Sequence, residues 1–231
     1  MPIAKISGKL VYFAHVPKCA GTAVEDYLAN AFGPLAFLDR CFNAQPSQAR
    51  WTRSSPQHVE VEGLSALFPS DFFDATFAVV RNPVSRLTST FRFQRDVEGT
   101  IDINTTFSDW LRTVKHKQRT SPWQFDNHTR RMTDIVPDSA KVFRLEDGLG
   151  AVVKWLQVLA GPEHSLPIKI APQNALDKRL LFEGKPLRPV NLTKGDIGLI
   201  ERQYAVDFER FGYDRLRRTK AEMSAVQAYE G

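Results

Sequence analysis

The chain has 231 residues, 42% of them hydrophobic, and its 31 Lys and Arg against 26 Asp and Glu give a net charge of +5. This length and apolar content suit a single domain over residues 1–231, and the charge excess favours anionic ligands but is too small and dispersed to indicate a nucleic-acid partner. No apolar stretch is long enough to span a membrane and the first residues lack a signal-peptide core, so we expect a soluble, cytoplasmic protein.

Strand and helix patterns alternate along the chain. In the first half of the chain they predict a strand at 10–14, a helix at 23–32, an irregular segment at 33–60, a helix at 62–67, a strand at 75–80 and a helix at 83–93. A helix at 107–117, capped by Thr105 or Thr106, a strand at 141–145 and a helix at 151–159 are predicted next. The last two predicted elements are a helix capped by Thr193, with Ile197, Ile200 and Tyr204 on one face, and a charged helix after Asp214. This alternation predicts an α/β fold with a central parallel sheet flanked by helices.

The loop after the first strand carries the sequence Val-Pro-Lys-Cys-Ala-Gly-Thr over residues 16–22. A loop between a strand and a helix directs backbone N–H groups and the helix N-terminus at one point, which favours an anion. Lys18 adds a positive charge and Thr22 a hydroxyl. The order differs from the G-x-x-x-x-G-K-[ST] loop of nucleotide triphosphatases, because here the lysine precedes the glycine. The loop therefore indicates a phosphorylated ligand other than that of an ordinary kinase or ATPase.

A second polar group follows the strand at 75–80. Arg81 lies at the carboxyl end of that strand, where open α/β sheets bind ligands, and Ser89 lies about two turns along the next helix. Both can donate to one phosphate, within a run over 81–95 that holds four arginines and no acid. The alternative is that these are surface arginines and a helix-facing serine. Together with the first loop, the pair predicts a ligand with two separate phosphate-like groups.

The two segments, HVPKCAGTAV and FAVVRNPVSRLTSTF, resemble the sulfotransferases that use 3′-phosphoadenosine 5′-phosphosulfate (PAPS). The resemblance is closest to the carbohydrate branch, sulfotransferase family 2, which writes the first loop as H-x-P-K-x-x-G-T. The strand end at 143–146 and the pattern Y-x-x-D-[FY]-x-x-[FL]-G-Y at 204–213 support it. It implies a P-loop NTPase-like sulfotransferase fold, PAPS as co-substrate, and a hydroxyl acceptor, expected to be a carbohydrate.

The resemblance also implies roles for individual residues. It assigns Arg81 and Ser89 to the 3′-phosphate, and it assigns to the 5′-phosphosulfate the loop residues Pro17, Lys18, Cys19, Ala20, Gly21, Thr22 and Ala23. Lys18 would lie at the oxygen that bridges phosphate and sulfate, where a fixed ammonium stabilises the charge that grows as the sulfuryl group leaves. Ala23 departs from the family, which often has a second hydroxyl there.

The acceptor hydroxyl needs a base for in-line attack. Because the family often has a histidine base just before the second strand, the resemblance implies His58, with His128 in reserve, although a loop role for His58 and an acceptor-binding role for 126–128 stay open. Some polysaccharide-modifying members pair two histidines at this place, whereas His58 stands alone. The remaining polar candidates are expected to shape the loop or to lie on the surface: His15, His116, His164, Glu25 and Asp26.

Further expectations concern metals, thiols and rival functions. No metal is expected, since Lys18 and the loop N–H groups can supply the electrostatic stabilisation. Cys19 is interpreted as a small filler rather than a reactive thiol, and two cysteines make no disulfide framework. The alternative functions are a P-loop kinase or ATPase and a non-catalytic module that binds an anionic glycan. Arg50, Arg53, Arg130 and Arg131 are candidate contacts of an anionic glycan, and the alternative for each is a solvated side chain.

Overall fold

A four-stranded sheet in the order β1-β2-β3-β4 forms the centre of the computed structural model, which describes residues 1–171, 180–184 and 186–215. The strands are β1 (Ile3–Ile6), β2 (Lys9–Ala14), β3 (Ala75–Val80) and β4 (Lys141–Arg144). β2, β3 and β4 run parallel, whereas β1 pairs antiparallel with β2. The predicted α/β fold with a central, mostly parallel sheet is confirmed.

β1 was not predicted from the sequence. It is only four residues long, and a charged side chain at Lys5 interrupts its apolar pattern. The turn to β2 consists of Ser7 and Gly8, which both have positive φ, 48° and 82°. Two left-handed residues match the twist of a tight hairpin, so this turn places β1 at the edge of the sheet.

The helices flank the sheet at nearly the predicted positions. They are α1 (Gly21–Phe32), α2 (Val61–Leu67), α3 (Pro83–Phe93), α4 (Phe107–Thr120), α5 (Gly150–Ala160), α6 (Lys194–Gln203) and α7 (Ala205–Arg210). Thr106, not Thr105, caps α4, and Thr193 forms a capping box with Asp196. The charged helix predicted after Asp214, with the basic run that ends at Lys220, lies almost entirely outside the described residues.

Aromatic side chains fill one face of the sheet. Phe13 of β2 pairs in register with Phe77 of β3, and their rings stack 4.9 Å apart. Trp155 of α5 covers Phe77 at 5.1 Å and Phe143 of β4 at 6.0 Å. Burial of these large rings supplies much of the hydrophobic stabilisation, and it fixes the sheet that carries the site.

The register of β2 and β3 determines where their loops emerge. Ala14 of β2 pairs with Ala78 of β3, and the two strands are parallel neighbours. The loops that follow Ala14 and Val80 therefore leave the same edge of the sheet, where α/β proteins bind ligands. The two polar segments therefore follow adjacent strands.

The pattern at 204–213 fastens the loops around that edge. The Tyr204 hydroxyl donates to the Thr129 carbonyl at 2.7 Å, and Asp207 accepts from the backbone N–H groups of Met132 and Thr133, each at 2.9 Å. Tyr204 and Asp207 are fully buried, so these bonds are shielded from water.

Within the described residues, no helix is both long and apolar enough to cross a membrane.

Candidate active site

The loop between β2 and α1 has an unusual backbone. Lys18 and Ala20 adopt left-handed conformations with φ of 66° and 63°, which residues other than glycine rarely occupy. Such strain is typical of functional sites, and alternating right- and left-handed residues form a concave nest of N–H groups. Among the described residues no side chain caps α1, whereas Asn82 caps α3. The backbone N–H groups at this helix end are therefore a candidate anion site.

An open cleft of about 940 Å³ lies over this loop and the end of β3. Most of the residues assigned to the donor line it: Pro17, Lys18, Ala20, Gly21, Thr22, Ala23, Arg81 and Ser89. Cys19 differs, because its side chain is buried in the core with only 1% exposed. Burial raises the pKa of its thiol to about 12, which agrees with the filler interpretation and leaves only its backbone for a ligand.

Arg81 and Ser89 face the same cleft, as the sequence predicted. The Arg81 guanidinium donates to the Lys18 carbonyl at 3.4 Å, which joins the two loops. The segment between β3 and α3 is held by the turn that follows β4, because Glu146 in that turn accepts from the Asn82 N–H at 2.7 Å. Ser85 also lines the cleft and was missed, although its spacing of four residues from Ser89 places both serines on one face of α3.

Arg86 has a structural role instead of the anion-binding role that the arginine run indicated. It is fully buried, and its guanidinium donates to the carbonyls of Pro17 at 3.2 Å, His128 at 3.0 Å and Arg130 at 2.7 Å. A buried guanidinium with three carbonyl acceptors clamps these segments together. The clamp connects the phosphate loop with the segment that contains His128.

Lys18 lies against an aromatic ring that the sequence did not single out. Its ammonium nitrogen is 3.7 Å from the centroid of Phe93, a geometry in which the ring attracts a cation. Phe93 ends α3, and a π-helical turn, Gln94–Glu98, follows it. That turn brings Glu98 to the cleft, where burial raises the pKa of its carboxyl although Lys18 acts in the opposite direction.

His58 lines the cleft and is paired with a carboxylate. Its Nδ1 lies 3.0 Å from Oδ2 of Asp126, and both side chains are nearly buried. Asp126 also accepts from the N–H of Ser55 at 2.6 Å and from its hydroxyl at 2.8 Å. Burial alone would raise the pKa of Asp126, but His58 and these bonds hold it well below its ordinary value. In a neutral His58 ring, an ionised Asp126 favours the proton on Nδ1, and that tautomer has Nε2 as an acceptor.

The backbone around Asp126 is strained. Phe125, Asp126 and Asn127 are all left-handed, with φ of 56°, 54° and 61°. The Asn127 side chain compensates by donating to the His58 carbonyl at 2.7 Å. Three consecutive residues in this region are costly and persist only where the surroundings impose them. The sequence segment Asp-Asn-His had suggested a functional role for this region, but the pairing of Asp126 with His58 was not foreseen.

Glu25 is not the surface carboxylate that the sequence predicted. It is 2% exposed and accepts a hydrogen bond from Nδ1 of His15 at 2.5 Å. Burial lowers the pKa of His15, so the ring is neutral, while His15 and Arg40 hold the pKa of Glu25 below its ordinary value against the effect of burial. The helical pattern did not reveal this, because the partner precedes the helix. Asp26 contacts Arg40.

His15 shapes the loop, as expected, and also connects it to His58. A Cβ added to Gly21 would lie 1.7 Å from Nε2 of His15, so the ring packs directly on the glycine backbone. The rings of His15 and His58 meet edge to face at 4.6 Å. One neutral imidazole therefore separates the phosphate loop from the proposed base at a fixed distance.

The comparison with known families agrees with this geometry. The model described as Sulfotransferase family matches residues 7–214. The chain belongs to the sulfotransferase family. Searches among curated proteins and among solved structures gave no match. The matched region contains every residue that lines the cleft, so family membership and site geometry concern the same part of the chain.

Of the remaining histidines of this sulfotransferase-family chain, two lie at the surface and one lines the cleft. His116 is exposed, and His164 is partly exposed beside Glu163, as predicted. His128 is 7% exposed and lines the cleft, 5.2 Å from the ring of His58. Burial and the neighbouring His58 lower the pKa of His128 well below its ordinary value, so it is neutral. His58, Asp126 and His128 are also the described residues that can hold a metal ion.

The arginines considered for an anionic glycan mostly have partners within the chain. Arg53 stacks over the ring of Trp123 at 4.4 Å. The other three each donate to an oxygen of the chain: Arg50 to Asn43, Arg130 to Asn127 and Arg131 to Gln203. These contacts give the arginines structural roles, so the structure adds no support for a purely glycan-binding module.

Proposed function

We propose that this chain transfers the sulfuryl group of PAPS to a hydroxyl of a carbohydrate acceptor. One observation carries the proposal: a single cleft contains the phosphate loop with Lys18, the pair Arg81 and Ser89, and His58 with its Nδ1 held by Asp126. These are the groups that sulfuryl transfer requires, namely two separate anion sites, a cation for the leaving group and a base for the acceptor.

The donor would bind across the ends of β2 and β3. The nest at residues 17–22 and the α1 N-terminus receive the 5′-phosphosulfate, since N–H groups and a helix dipole favour negative charge. Arg81 and Ser89 receive the 3′-phosphate from the neighbouring strand. The guanidinium provides a forked, permanently charged donor, and the serine hydroxyl provides a neutral one. This arrangement selects a nucleotide that carries both groups.

Lys18 acts on the leaving group. As the acceptor oxygen forms its bond to sulfur, the bond from sulfur to the bridging oxygen breaks and its electrons pass to that oxygen. The ammonium of Lys18 stabilises this charge, which is larger in the transition state than in the bound donor. The product is 3′,5′-ADP. Phe93 keeps the ammonium in the cleft through its ring contact at 3.7 Å.

His58 accepts the proton of the attacking hydroxyl on Nε2. Asp126 holds Nδ1–H and stabilises the imidazolium that forms, because an ionised carboxylate lies 3.0 Å from the ring nitrogen. His15 supports the ring from the side of the phosphate loop at 4.6 Å. His128 is a neighbour of the proposed base and does not itself accept the proton, because its ring is buried and its carbonyl accepts a hydrogen bond from Arg86.

The acceptor half of the cleft supports a carbohydrate. Besides His58, the cleft is lined by side chains of the kind that can exchange hydrogen bonds with sugar hydroxyls: Arg40, Asn43, Gln57 and Glu98. Both signs of charge occur there, so this half of the cleft suits hydroxyl groups better than a highly anionic chain. The cleft is open to solvent, which a sugar within a larger molecule requires.

Two measurements test the proposal. Calorimetry should detect binding of 3′,5′-ADP without Mg²⁺, and a screen with ³⁵S-labelled PAPS should transfer label to a carbohydrate. Preference for Mg-ATP over 3′,5′-ADP would show a kinase or ATPase instead. Binding of PAPS without transfer to any carbohydrate, phenol or alcohol of the screen would contradict the enzymatic role.

A further inference from the structure

Two histidines and a carboxylate converge on one side of the cleft. His58, Asp126 and His128 each offer one ligand atom, and these atoms lie within 4.8 Å of one another. The two histidines are 6% and 7% exposed, and the side chain of Asp126 is 9% exposed. The three residues come from two separate segments, which the Asn127 side chain fastens together through the His58 carbonyl.

The ligand chemistry fits a transition-metal ion. Two imidazoles and one carboxylate form a donor set that zinc commonly uses, with a fourth position left for water. Nδ1 of His128 is buried and, within the described part of the chain, has no hydrogen-bond partner. Buried polar atoms of native proteins nearly always have a partner, so this nitrogen is available to a ligand. All three residues line the cleft, which gives an ion a path from solvent.

We propose that the cleft binds one Zn²⁺ through His58, Asp126 and His128, and that the bound ion inhibits sulfuryl transfer. Zinc binds an unprotonated imidazole nitrogen, so any proton on the ligating nitrogens is released to solvent when the ion enters. A zinc-bound His58 cannot accept the proton of the acceptor hydroxyl. The binding claim is independent of the reaction, whereas the inhibition rests on the proposed function.

Neighbouring charges set the strength of binding. Asp126 supplies a negative charge inside the group, while Lys18 and Arg86 place positive charge near His128. Repulsion from these two cations weakens binding relative to a structural zinc site that lacks them. We therefore expect a reversible, micromolar interaction that free zinc or a chelator can shift in either direction.

Calorimetry with zinc chloride on untagged protein tests the site. Wild type should bind one ion per chain, and His128→Asn should weaken the affinity by about tenfold or more, since ligand loss costs at least as much as loss of a supporting residue. His116→Asn is the matched control, because His116 is exposed and far along α4, and it should bind zinc as wild type does. Equal affinity of wild type and His128→Asn, or no stoichiometric binding, overturns the proposal.

A second variant and the crystallographic position of the zinc ion test the site independently of any misfolding of one variant. His58→Asn should also lose zinc affinity, and circular dichroism should show that both variants fold. Anomalous scattering at the zinc edge from a crystal grown with zinc should give a peak among the three side chains. A peak only at surface histidines such as His164 would overturn the site.

The inhibition has its own measurement. Zinc should lower the rate of transfer from PAPS in wild type, EDTA should restore it, and His128→Asn should need about tenfold more zinc for half inhibition relative to its own zinc-free rate. Zinc that binds an active enzyme without slowing it overturns the inhibition. If no acceptor is sulfated, the proposed function and the inhibition fail together, and calorimetry still decides whether zinc binds.

Discussion

The Asp126 carboxylate lies 3.0 Å from Nδ1 of His58, although 68 residues separate the two in the chain. The contact determines which ring nitrogen carries the proton. In the neutral ring, a proton on Nδ1 directed at the carboxylate leaves Nε2 able to accept a proton, as the proposed base requires. Both partners sit on constrained backbone, Asp126 in a left-handed run and His58 at the end of a short 3-10 turn, Pro56–His58. The pair is positioned by the fold before any ligand binds.

Replacement of His58 by Asn should slow transfer by about 100-fold or more, because a positioned general base contributes roughly that much. Affinity for 3′,5′-ADP should change little, since the base contacts the acceptor and not the nucleotide. Single-turnover rates with saturating PAPS, together with calorimetry, measure the two effects. His164→Asn serves as the control. If the His58→Asn variant kept the wild-type turnover, a residue other than His58 would have to be the base.

Asp126→Asn should reduce kcat by about tenfold or more, while KM for PAPS stays near the wild-type value, because the amide cannot stabilise an imidazolium. Ser55→Ala is the matched control, since Ser55 also bonds to Asp126 at 2.8 Å but bears no charge. A positioning role requires the aspartate variant to lose much more activity than the serine variant. Equal losses at equal thermal stability would show that Asp126 merely holds the loop.

Lys18→Ala should lower the rate at saturating PAPS by roughly 100-fold or more, corresponding to about 3 kcal/mol of lost transition-state stabilisation. The reason is that the charge on the bridging oxygen develops only as the sulfuryl group leaves. Lys115→Ala, on the exposed face of α4, controls for loss of a positive charge in general. If the Lys18 variant loses only affinity and recovers full speed at high PAPS, Lys18 is a binding residue alone.

Arg81→Ala and Ser89→Ala should weaken 3′,5′-ADP much more than 5′-AMP, because both side chains are assigned to the 3′-phosphate. Loss of one charged hydrogen bond should cost about tenfold in affinity at position 81 and less at position 89. Calorimetric affinities for both nucleotides give the ratio. Arg112→Ala removes an exposed arginine of α4 as the control. Parallel weakening of both nucleotides would place Arg81 at the 5′ end.

The sequence predicted the parts of the site that depend on local order. A strand, a loop and a helix start are consecutive, so the sequence alone identified residues 16–22 as a candidate anion site. Parallel strands of an α/β sheet send their loops to one edge, but the order β2-β3 within the sheet came from the structure. The family resemblance then provided a role for each loop, and the match over residues 7–214 confirmed the family.

The contacts that were missed all join distant segments or depend on backbone conformation. Glu25 was read as a surface residue because its partner His15 lies outside the helix. Arg86 shares the spacing of an anion-binding arginine, yet its acceptors are carbonyls of two remote loops. Asp126 reaches His58 through a left-handed backbone over residues 125–127. Asp and Asn tolerate this conformation, but the residue types alone do not predict a run of three that begins at Phe125. Sequence periodicity describes one element at a time, so these long-range pairings needed coordinates.

The two cysteines should react very differently. Cys19 is 1% exposed and the pKa of its thiol is raised to about 12, whereas Cys41 is exposed. Since the thiolate is the reactive form, Ellman's reagent at pH 8 should modify one thiol in the native protein and two after denaturation. Cys41→Ser should abolish the native reaction. Fast labelling of the Cys41→Ser protein would contradict the buried position of Cys19 and, with it, the conformation of the phosphate loop.

Gly21→Ala should damage both stability and donor binding. The added methyl would lie 1.7 Å from Nε2 of His15, whose ring is held by Glu25 on one side and by His58 on the other. Overpacking of this kind costs about 1–3 kcal/mol, and any relief requires the phosphate loop or the ring of His15 to move.

Gly198→Ala in α6 is the matched control. The closest atom to its added methyl is the flexible end of Arg202 at 3.4 Å, so the space is adequate. An alanine within a helix is more favourable than glycine by about 1 kcal/mol, and this variant should therefore melt at or above the wild-type temperature. Thermal melts and 3′,5′-ADP titrations compare the two. Because both variants add the same methyl group, a loss confined to Gly21→Ala shows that the His15 ring packs tightly on the phosphate loop. A Gly21→Ala protein with wild-type stability and affinity would mean that the ring does not pack there.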